Sequence, residues 1–487
     1  MAIDMRTTTL TRREFGGGLA ATLAVLAGGC ATISPSEEKK LGAEAAEEVE
    51  RTVGLVSDPK LVGYVRQVAG RMAQVAKRPD VTWQFNVTDD VEPNAFALPG
   101  GYVYVTRGLL ALCNSEDELA GVIGHEMAHV LERHAARRAG AATPFAVLFG
   151  IPAGILGAVS PSLGGIVGGT GELASGMVLA SYSRDQERDA DKRGIVLAAG
   201  AGWDPAGLAS FLYTLEREEA LEGHDPNRPG FFATHPATPE RVGNIRTAAR
   251  SQTRAKAAPI AATRGAFVQK LEGLVVGDNP ATGVFLGSLF VHPVFDIALE
   301  MPPKWKTINT AEAAGAVAPD GDAAVVLSLS DDGDDPVAAA KADGLSDDQL
   351  KKLQRVRVSS LPAARLMDDT RSGQRAVFTW IAYRKRVFRV TSIARARDWG
   401  RYGTVLEQAA GTFRPLRPAD RERLVENRLR IRPAGAGETI AEVLGRGGSS
   451  WNAAQTAVAN GTTVDAKLQA GWPVKVPVSQ RYDGSGG

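Results

Sequence analysis

The stretch GHEMAHVLERHAARR, residues 124–138, places two of the six histidines of the chain on either side of a glutamate. A Ser-x-x-Glu capping pattern begins at Ser115 and no proline follows it, so the sequence predicts a helix that begins after Ser115 and continues to residue 138. At about 100° per residue, His125 and His129 lie about 40° apart on one face of this helix. Their imidazoles therefore point in the same direction, one turn apart.

Two histidines at this spacing provide two ligands for one Zn²⁺, and Glu126 projects close enough to act on a metal-bound water. A catalytic zinc requires a third protein ligand and keeps one position open. His134 is the nearest candidate, but it follows His129 by five positions, whereas metzincins place their third histidine six positions on, with a glycine between. The spacing therefore disfavours a metzincin.

Glu187 is the better candidate for the third ligand. It lies in SYSRDQERDADKRG, residues 181–194, a stretch without helix breakers, and Asp191 follows it by one turn on the same helical face. Glu187 would bind the metal as in a gluzincin. Asp191 would accept the second N–H of a ligating histidine, which fixes the tautomer of that histidine. The alternative is that Glu187 belongs to a solvated, charged helix surface.

Four segments of the chain are typical of a known family: NAFALPGGYVYVTRGLL, HEMAH, YSRDQERDAD and THPATPERV. In this order, residues 40–248 resemble the CAAX-prenyl-protease/HtpX-like family of zinc metallopeptidases, and in particular its soluble, exported BepA-type branch. The resemblance implies a mostly helical, zincin-type domain with a small β element. It also implies a gluzincin site in which His125, His129 and Glu187 bind one Zn²⁺ per chain.

The same resemblance implies roles for further residues. Glu126 would be the catalytic general base, and the strand around Asn94 and Ala95 would be an edge along which the substrate backbone lies. His235 lies on a loop that is close to the metal in the family. There it would take part in catalysis by donating a hydrogen bond to an oxyanion, or occupy the fourth zinc position when substrate is absent. The alternative is a loop histidine packed by Pro236.

The first 30 residues have the pattern of an export signal. Arg12 and Arg13 resemble a twin-arginine motif and precede an apolar run at residues 19–27, which is too short to span a bilayer. The run ends in LAGGC, so that Cys30 lies where bacterial lipoproteins carry their lipidated cysteine. These features predict a lipid-anchored protein on the periplasmic face of the cell envelope. The alternatives are a Sec signal with a chance arginine pair, an uncleaved anchor and a plain secreted protein.

Composition excludes some classes of protein. Positive and negative side chains nearly cancel, 56 against 55, so no overall field attracts nucleic acid. Cys113 is the single cysteine after the export signal, which excludes an internal disulfide. Residues 139–171 carry no charge and are interrupted by prolines. They predict a buried or membrane-touching flap beside the site, and a transmembrane hairpin is the alternative.

An α+β fold class is predicted for the whole chain. The export signal covers residues 1–30, the metallopeptidase domain residues 31–250 and a polar linker residues 251–264. Alternating strands with a helix among them predict an α+β module of unknown role at residues 265–416. Residues 427–480 resemble a degenerate LysM module, in which two short strands flank two helices. A generic small α+β cap is the alternative for this tail.

Together these features predict a zinc-dependent endopeptidase of the bacterial cell envelope. It would hydrolyse peptide bonds in extended or misfolded proteins through a zinc-activated water and a glutamate base. Its expected partners are unfolded or misassembled envelope proteins, the membrane through an N-terminal lipid, and peptidoglycan through the LysM-like tail. Two alternatives stay open: an envelope chaperone or assembly factor with a latent zinc site, and a peptidoglycan-associated scaffold.

Overall fold

A computed structural model describes residues 34–135, 182–223, 230–236, 240–369 and 373–484. The predicted export signal, with Cys30, and the charge-free segment at residues 139–171 lie outside the described residues. Within them, helices and sheets both occur, which confirms the mixed α+β class. Every helix among these residues is too short or too polar to span a bilayer.

The first part of the chain consists mainly of helices. These are α1 (Pro35–Thr52), α2 (Pro59–Ala76), α3 (Arg107–Leu112), α4 (Glu116–Leu131), α5 (Arg184–Gly200), α6 (Gly207–Glu222), α7 (Phe231–Thr234), α8 (Arg241–Arg250) and α9 (Arg264–Val268). Its strands are β1 (Gln84–Thr88), β2 (Ala95–Leu98) and β3 (Tyr102–Thr106).

The second part is richer in strands. These are β4 (Val275–Val276), β5 (Val284–Leu286), β6 (Leu289–His292), β7 (Ile297–Glu300), β8 (Lys306–Asn309), β9 (Ala313–Val317), β10 (Ala323–Asp332), β11 (Gln354–Val358), β12 (Leu361–Asp369), β13 (Gln374–Tyr383), β14 (Arg386–Arg395), β15 (Arg414–Pro415), β16 (Val425–Pro433) and β17 (Pro473–Arg481). The helices are α10 (Pro336–Ala342), α11 (Asp347–Lys352), α12 (Trp399–Ala409), α13 (Pro418–Glu422), α14 (Ile440–Gly445) and α15 (Ala453–Ala459).

A three-stranded sheet lies between α1 and α4. Its order is β1-β3-β2, with β1 parallel and β2 antiparallel to β3, so β2 is an edge strand. On one face, Phe96 and Tyr104 stack with ring centroids 5.0 Å apart and pack against Val49 of α1. On the other face, Val103 and Val105 join the main core around α4. The alternation of side chains along β3 thus buries both faces of the sheet.

Helix α4 begins where the capping pattern predicts. The Ser115 Oγ accepts a hydrogen bond from the backbone N–H of Glu118 at 3.2 Å. The Glu118 carboxylate in turn accepts from the backbone N–H of Asn114 at 2.7 Å, one residue before the cap. Caps of this kind stabilise a helix by about 1 kcal/mol, because they satisfy N–H groups that have no partner within the helix.

The end of α4 contradicts the prediction of a helix to residue 138. The helix ends at Leu131, and Arg133 adopts a left-handed conformation with φ of 53°. The chain then folds back, so that the backbone N–H of His134 donates to the carbonyl of His129 at 3.0 Å. The prediction was wrong because burial of the His134 side chain ends the helix. Neither a proline nor a glycine marks this position in the sequence.

Two glycines allow α4 and α5 to approach closely. A Cβ on Gly194 would lie 2.8 Å from the backbone nitrogen of His125, and one on Gly124 would lie 3.0 Å from the carbonyl oxygen of Gly194. Backbones can meet at this distance because both positions lack a side chain. The approach brings the His125 face of α4 against the face of α5 that carries Glu187.

A seven-stranded antiparallel sheet dominates the second part, with the order β11-β12-β13-β14-β10-β9-β8. On one face, Ala339 and Ala340 of α10 pack beside Trp380 of β13. The other face is covered by Leu406 of α12 and by a four-stranded sheet of order β15-β7-β6-β5, through Leu299. The alternating segments QRAVFTWIAY and RVFRVTSIA, which belong to the α+β module predicted for residues 265–416, form β13 and β14.

The tail has the strand-helix-helix-strand order that was predicted for it. β16 and β17 pair in antiparallel register, and α14 and α15 lie between them in the chain. The tail packs on the first part, because Leu429 lies in the main core. The buried Lys475 Nζ also donates to the carbonyls of Ala111 and Cys113, each at 2.7 Å. A LysM identity stays a prediction.

Candidate metal centre

Five buried side chains from three places in the chain converge beside α4. Helix α4 carries His125, Glu126 and His129, α5 carries Glu187, and His235 directly follows α7. Their exposed fractions lie between 0% and 3%. One ligand atom from each of the three histidines and from Glu187 lies within 4.8 Å of the others. The structure therefore brings the three predicted zinc ligands together and places His235 among them.

The distances between these atoms fit a single metal ion. His125 Nε2 lies 3.0 Å from His129 Nε2 and 3.5 Å from Glu187 Oε2, and His129 Nε2 lies 3.4 Å from Glu187 Oε1. His235 Nδ1 lies 3.2 Å from His125 Nε2 and 3.0 Å from Glu187 Oε1. Ligands about 2.0–2.2 Å from a tetrahedral Zn²⁺ lie roughly 3.3–3.6 Å from one another. Because the observed separations are equal to these or slightly shorter, this nitrogen and oxygen donor set fits zinc.

Glu126 differs from the other members of the cluster in its contacts. Both of its carboxylate oxygens are buried and have no hydrogen-bond partner among the described residues. His235 Nε2 is close, 3.4 Å from Glu126 Oε1. Burial raises the pKa of Glu126, although the charges of His235 and His125 oppose this shift. A buried carboxylate without donors is costly, which indicates that water or a ligand completes its surroundings.

Asp191 and Arg241 contact the cluster from outside. Asp191 Oδ1 lies 2.9 Å from Nδ1 of His125, the ring nitrogen that faces away from the other ligand atoms. Arg241 donates to both oxygens of Asp191, from Nε at 3.0 Å and from Nη2 at 2.8 Å, and its Nη1 lies 2.8 Å from Glu187 Oε2. Burial raises the pKa of Asp191, but His125 and Arg241 outweigh it and lower the pKa below its usual range. The arrangement keeps His125 and Glu187 in fixed orientations.

The protonation of the cluster follows from its charges. Burial lowers the pKa of His125, but the carboxylates of Glu187 and Asp191 outweigh it and raise the pKa to about 9. The pKa of Glu187 is lowered, because His235 and His125 outweigh the opposing effect of burial. Burial lowers the pKa of His129 well below its usual range, so its ring is neutral at pH 7. A metal ion would replace the proton on His125 as the positive charge beside Glu187.

His134 lies on the far side of His129 and not among the ligand atoms. Its Nδ1 is 2.9 Å from Nδ1 of His129, and the Tyr182 ring stacks on His129 with centroids 3.6 Å apart. These two contacts restrict rotation of the His129 ring.

Asn94 and Ala95 are separate from the ligand cluster. Asn94 is 1% exposed, and its backbone N–H and carbonyl are both bonded to Thr106, at 3.0 Å and 2.9 Å. Ala95 begins the edge strand β2 and lies in the core around α4. The preceding Pro93 accepts a hydrogen bond from the backbone N–H of Phe231 at 3.1 Å. The start of β2 is therefore connected to α7, the helix that precedes His235.

Two residues that contact the cluster were not singled out from the sequence. Arg241 follows His235 by six positions, within the segment THPATPERV, and Tyr182 opens the segment YSRDQERDAD. Both lie in segments that carry the family resemblance, and this resemblance was the signal that could have identified them. The residues next to Arg241 in the sequence do not indicate its position beside the cluster, because its acidic partners Glu187 and Asp191 lie on another helix.

Comparisons with known proteins indicate the class of enzyme. Residues 59–249 match the sequence family described as Peptidase family M48. The chain is 34% identical over 216 residues to "Mitochondrial metalloendopeptidase OMA1" of Schizosaccharomyces pombe, which covers 44% of this chain and 61% of that protein. It is 29% identical over 223 residues to "Beta-barrel assembly-enhancing protease" of Escherichia coli (strain K12), which covers 45% of each. These findings support the prediction of a zinc metalloendopeptidase.

The similarity is limited in extent. The matched region spans about half the length of the curated relatives, at 61% and 45%. Among solved structures, the cyanobacterial PsbP of Synechocystis sp. PCC 6803 aligns with 29% of this chain and 98% of its own, at 9% identity and a TM-score of 0.19, which is too low to carry an inference. The CAAX-prenyl-protease name and the BepA-type branch stay predictions.

Proposed function

Because residues 59–249 match Peptidase family M48 and contain this buried histidine and glutamate cluster, we propose that the chain is a zinc-dependent endopeptidase. Its proposed substrates are extended or misfolded proteins of the bacterial cell envelope. The observation that carries the proposal is the convergence of four ligand atoms beside a buried glutamate that has no hydrogen-bond partner among the described residues.

His125, His129 and Glu187 are the proposed zinc ligands. When bound, Zn²⁺ supplies a Lewis acid that polarises the scissile carbonyl and makes water more acidic. The three side chains come from two helices whose approach is fixed by packing, so they hold their positions without a large loss of entropy on binding. Asp191 is the proposed positioning residue for His125, since it lies at hydrogen-bond distance from the second ring nitrogen.

Glu126 is the proposed general base. Its two free oxygens are available to hydrogen-bond a water molecule, and they would accept the proton as that water attacks the carbonyl. Glu126 would then donate the proton to the leaving amine. Burial raises the pKa of Glu126, which makes this carboxylate a better proton acceptor than an exposed glutamate.

His235 is the proposed fourth ligand in the absence of substrate. Its Nδ1 lies within 3.2 Å of a His125 atom and a Glu187 atom, which supports this role over a contact with Pro236 alone. Once substrate occupies that position, His235 would be close enough to donate a hydrogen bond to the oxyanion.

The edge strand β2 is the proposed binding place for the substrate backbone. An extended polypeptide can add to the open side of an edge strand through main-chain hydrogen bonds. The connection between Pro93 and α7 supports this, because it holds the start of β2 near the segment that carries His235. Folded proteins cannot present an extended segment in this way, so unfolded chains are the preferred substrates.

The proposed location is the periplasmic face of the envelope, with a lipid on Cys30 and export by the twin-arginine route. The apolar run and the cysteine that ends it support the lipid, and similarity to an Escherichia coli protease named for β-barrel assembly supports the envelope. The strand-helix-helix-strand order of the tail supports binding of peptidoglycan by a LysM-like module.

Glu126→Gln tests the catalytic proposal. We expect wild type and variant each to contain about one zinc per chain by elemental analysis, since Glu126 is not a ligand. Casein cleavage should fall by about 10²–10⁴-fold in the variant, because the general base is lost. The matched control is Glu132→Gln, the same chemical change at the end of the same helix, which should leave cleavage unchanged. Zinc near zero in folded wild-type protein, or equal cleavage by Glu126→Gln, would contradict the proposal.

A further inference from the structure

The side chain of His134 reaches His129 because α4 is interrupted between them. In a continuous helix, residue 134 would lie about 140° around the axis from residue 129 and would face away from it. The helix instead ends at Leu131, and the chain turns at Arg133, whose φ of 53° is unfavourable for a residue that carries a Cβ. Unfavourable backbone conformations of this kind are frequent at functional sites, where the surrounding structure maintains them.

Contacts from two other helices hold this turn in place. The Arg133 Nε donates to the Glu38 Oε2 of α1 at 2.7 Å. The carbonyl of His134 accepts a hydrogen bond from the Gln186 Nε2 of α5 at 3.4 Å, and Gln186 directly precedes Glu187. The turn that carries His134 is therefore tied to the helix that carries a proposed zinc ligand.

The direction of the hydrogen bond between His134 and His129 follows from the geometry of the two rings. His134 is 0% exposed, and its Nδ1 lies 2.9 Å from Nδ1 of His129. At this separation one nitrogen carries a hydrogen and the other accepts it. The other nitrogen of His129, Nε2, faces the ligand atoms and lies 3.0 Å from Nε2 of His125. A ring nitrogen that binds a metal carries no proton, so His129 carries its proton on Nδ1 and His134 Nδ1 is the acceptor.

The two proposed histidine ligands thus have different acceptors for their second nitrogen. For His125 the acceptor is the carboxylate of Asp191, at 2.9 Å from Nδ1. For His129 it is the imidazole of His134. Ligating histidines usually donate this N–H to a carboxylate, a carbonyl or water, and such a partner fixes the tautomer and the orientation of the ring.

We propose that His134 is a positioning residue of the metal centre, whose Nδ1 accepts the Nδ1–H of His129 and so keeps Nε2 of His129 unprotonated and directed at the metal. The inference rests on the proposed function, because it takes His129 as a zinc ligand. It deepens that function by adding a residue that acts through a ligand without being one.

Two variants of the full chain test the proposal by their zinc affinity, measured by competition with a chelator. Leu and Asn have the same branched shape, but only Asn offers an oxygen that can replace His134 Nδ1 as the acceptor. We expect His134→Leu to weaken zinc binding by roughly 10–100-fold and His134→Asn to stay within about threefold of wild type. If His134 only filled space in the core, Leu would be tolerated at least as well as Asn.

The matched control is His292→Leu. The Nδ1 of His292 also accepts a hydrogen bond, from the backbone N–H of Phe295 at 3.4 Å, but His292 lies in β6, outside the ligand cluster. This variant should bind zinc as wild type does.

A second measurement needs no variant, in case His134→Leu does not fold. Nitrogen NMR of the zinc-loaded wild type, labelled with ¹⁵N in its histidines, shows which ring nitrogen carries the proton. We expect a proton on Nδ1 of His129 and on Nε2 of His134.

Two outcomes would overturn this proposal alone: equal zinc affinities for His134→Leu and His134→Asn in a chain whose wild type binds zinc, and a proton on Nδ1 of His134 in the zinc-loaded protein. Absence of zinc binding by the folded wild type would overturn the proposed function and this proposal together, so the two failures are distinguishable.

Discussion

Helix α4 has a buried carboxylate near each end, and the two differ in how their oxygens are used. At the start of the helix, Glu116 accepts hydrogen bonds from Tyr64 Oη at 2.7 Å, Trp203 Nε1 at 2.7 Å, and the backbone N–H groups of Ile260 at 2.7 Å and Ala261 at 2.6 Å. Toward its end, Glu126 is equally buried but neither oxygen has a partner among the described residues.

This difference separates a carboxylate with a structural role from the one that we propose as the general base. Four donors from distant parts of the chain satisfy Glu116, so it holds α2, the loop before α6 and the segment before α9 together. No described residue donates to Glu126 in this way, so a ligand or water must offset the free-energy cost of burying its charge. Burial alone therefore does not distinguish the two carboxylates, whereas the absence of donors does, and this absence supports Glu126 as the proposed general base.

The largest expected effect is loss of the metal from the ligand cluster beside α4. Glu187→Ala should strongly weaken zinc retention and reduce casein cleavage to background, because the variant loses the charged ligand and keeps three neutral histidines as the proposed ligands. Elemental analysis and a cleavage assay measure both. Glu118→Gln, at the structural end of α4, is the control and should keep its zinc. Full zinc content in Glu187→Ala would show that the ligand set is wrong.

The second-largest expected effect is on stability, through Glu116 at the start of α4. Glu116→Ala leaves four buried donors without an acceptor, so the free energy of unfolding should fall by about 3–5 kcal/mol. Urea unfolding measures the change. Asp185→Ala, at an exposed carboxylate of α5, should change stability by less than about 0.5 kcal/mol. A small effect of Glu116→Ala would mean that its hydrogen bonds are replaced by water, and the contrast with Glu126 would be lost.

A smaller effect is expected for the residue that positions His125. Asp191→Asn should weaken zinc binding by roughly 10–100-fold, because the ligating histidine loses a charged acceptor for its second nitrogen. Competition with a chelator of known affinity measures this constant. Asp189→Asn makes the same change at an exposed position on the same helix and serves as the reference. Identical zinc affinities for the two variants would argue against a positioning role.

The smallest expected effect is a pH dependence of the free energy of unfolding that comes from Lys475. Its Nζ donates to the carbonyl of Cys113, shortly before the start of α4. Burial lowers the pKa of Lys475 from the 10.5 of an exposed lysine to about 7 in the folded protein. Between these two pKa values the unfolded chain binds more protons than the folded chain, so this group makes stability rise with pH, by at most about 1.4 kcal/mol per pH unit.

Lys475→Met removes that contribution, so the free energy of unfolding of wild type relative to the variant should increase from pH 8 to pH 9.5. Urea unfolding at both pH values measures it. Parallel pH profiles for the two proteins would show that Lys475 is solvated in the folded state, contrary to its observed burial.

The residues of α4 that join the buried cluster could be selected from the sequence because the signals for them are local. Ser115 and Glu118 identified the start of α4, and the spacing of His125 and His129 placed both on one face. The end of the helix was predicted wrongly. Arg133 turns the chain through its left-handed conformation, and the side chain of His134 is then buried by tertiary contacts, which no local pattern shows.

The sequence by itself determined which side chains lie on which face of α4 and α5, because helical periodicity and caps depend on residues within a few positions of one another. Only the tertiary structure decided which glutamate of α4 lacks a partner. Glu116 is satisfied by Trp203 and Ala261, whereas no described residue donates to Glu126. Donors that come from distant positions in the chain leave no pattern near the residue they serve, and burial is a property of the assembled fold.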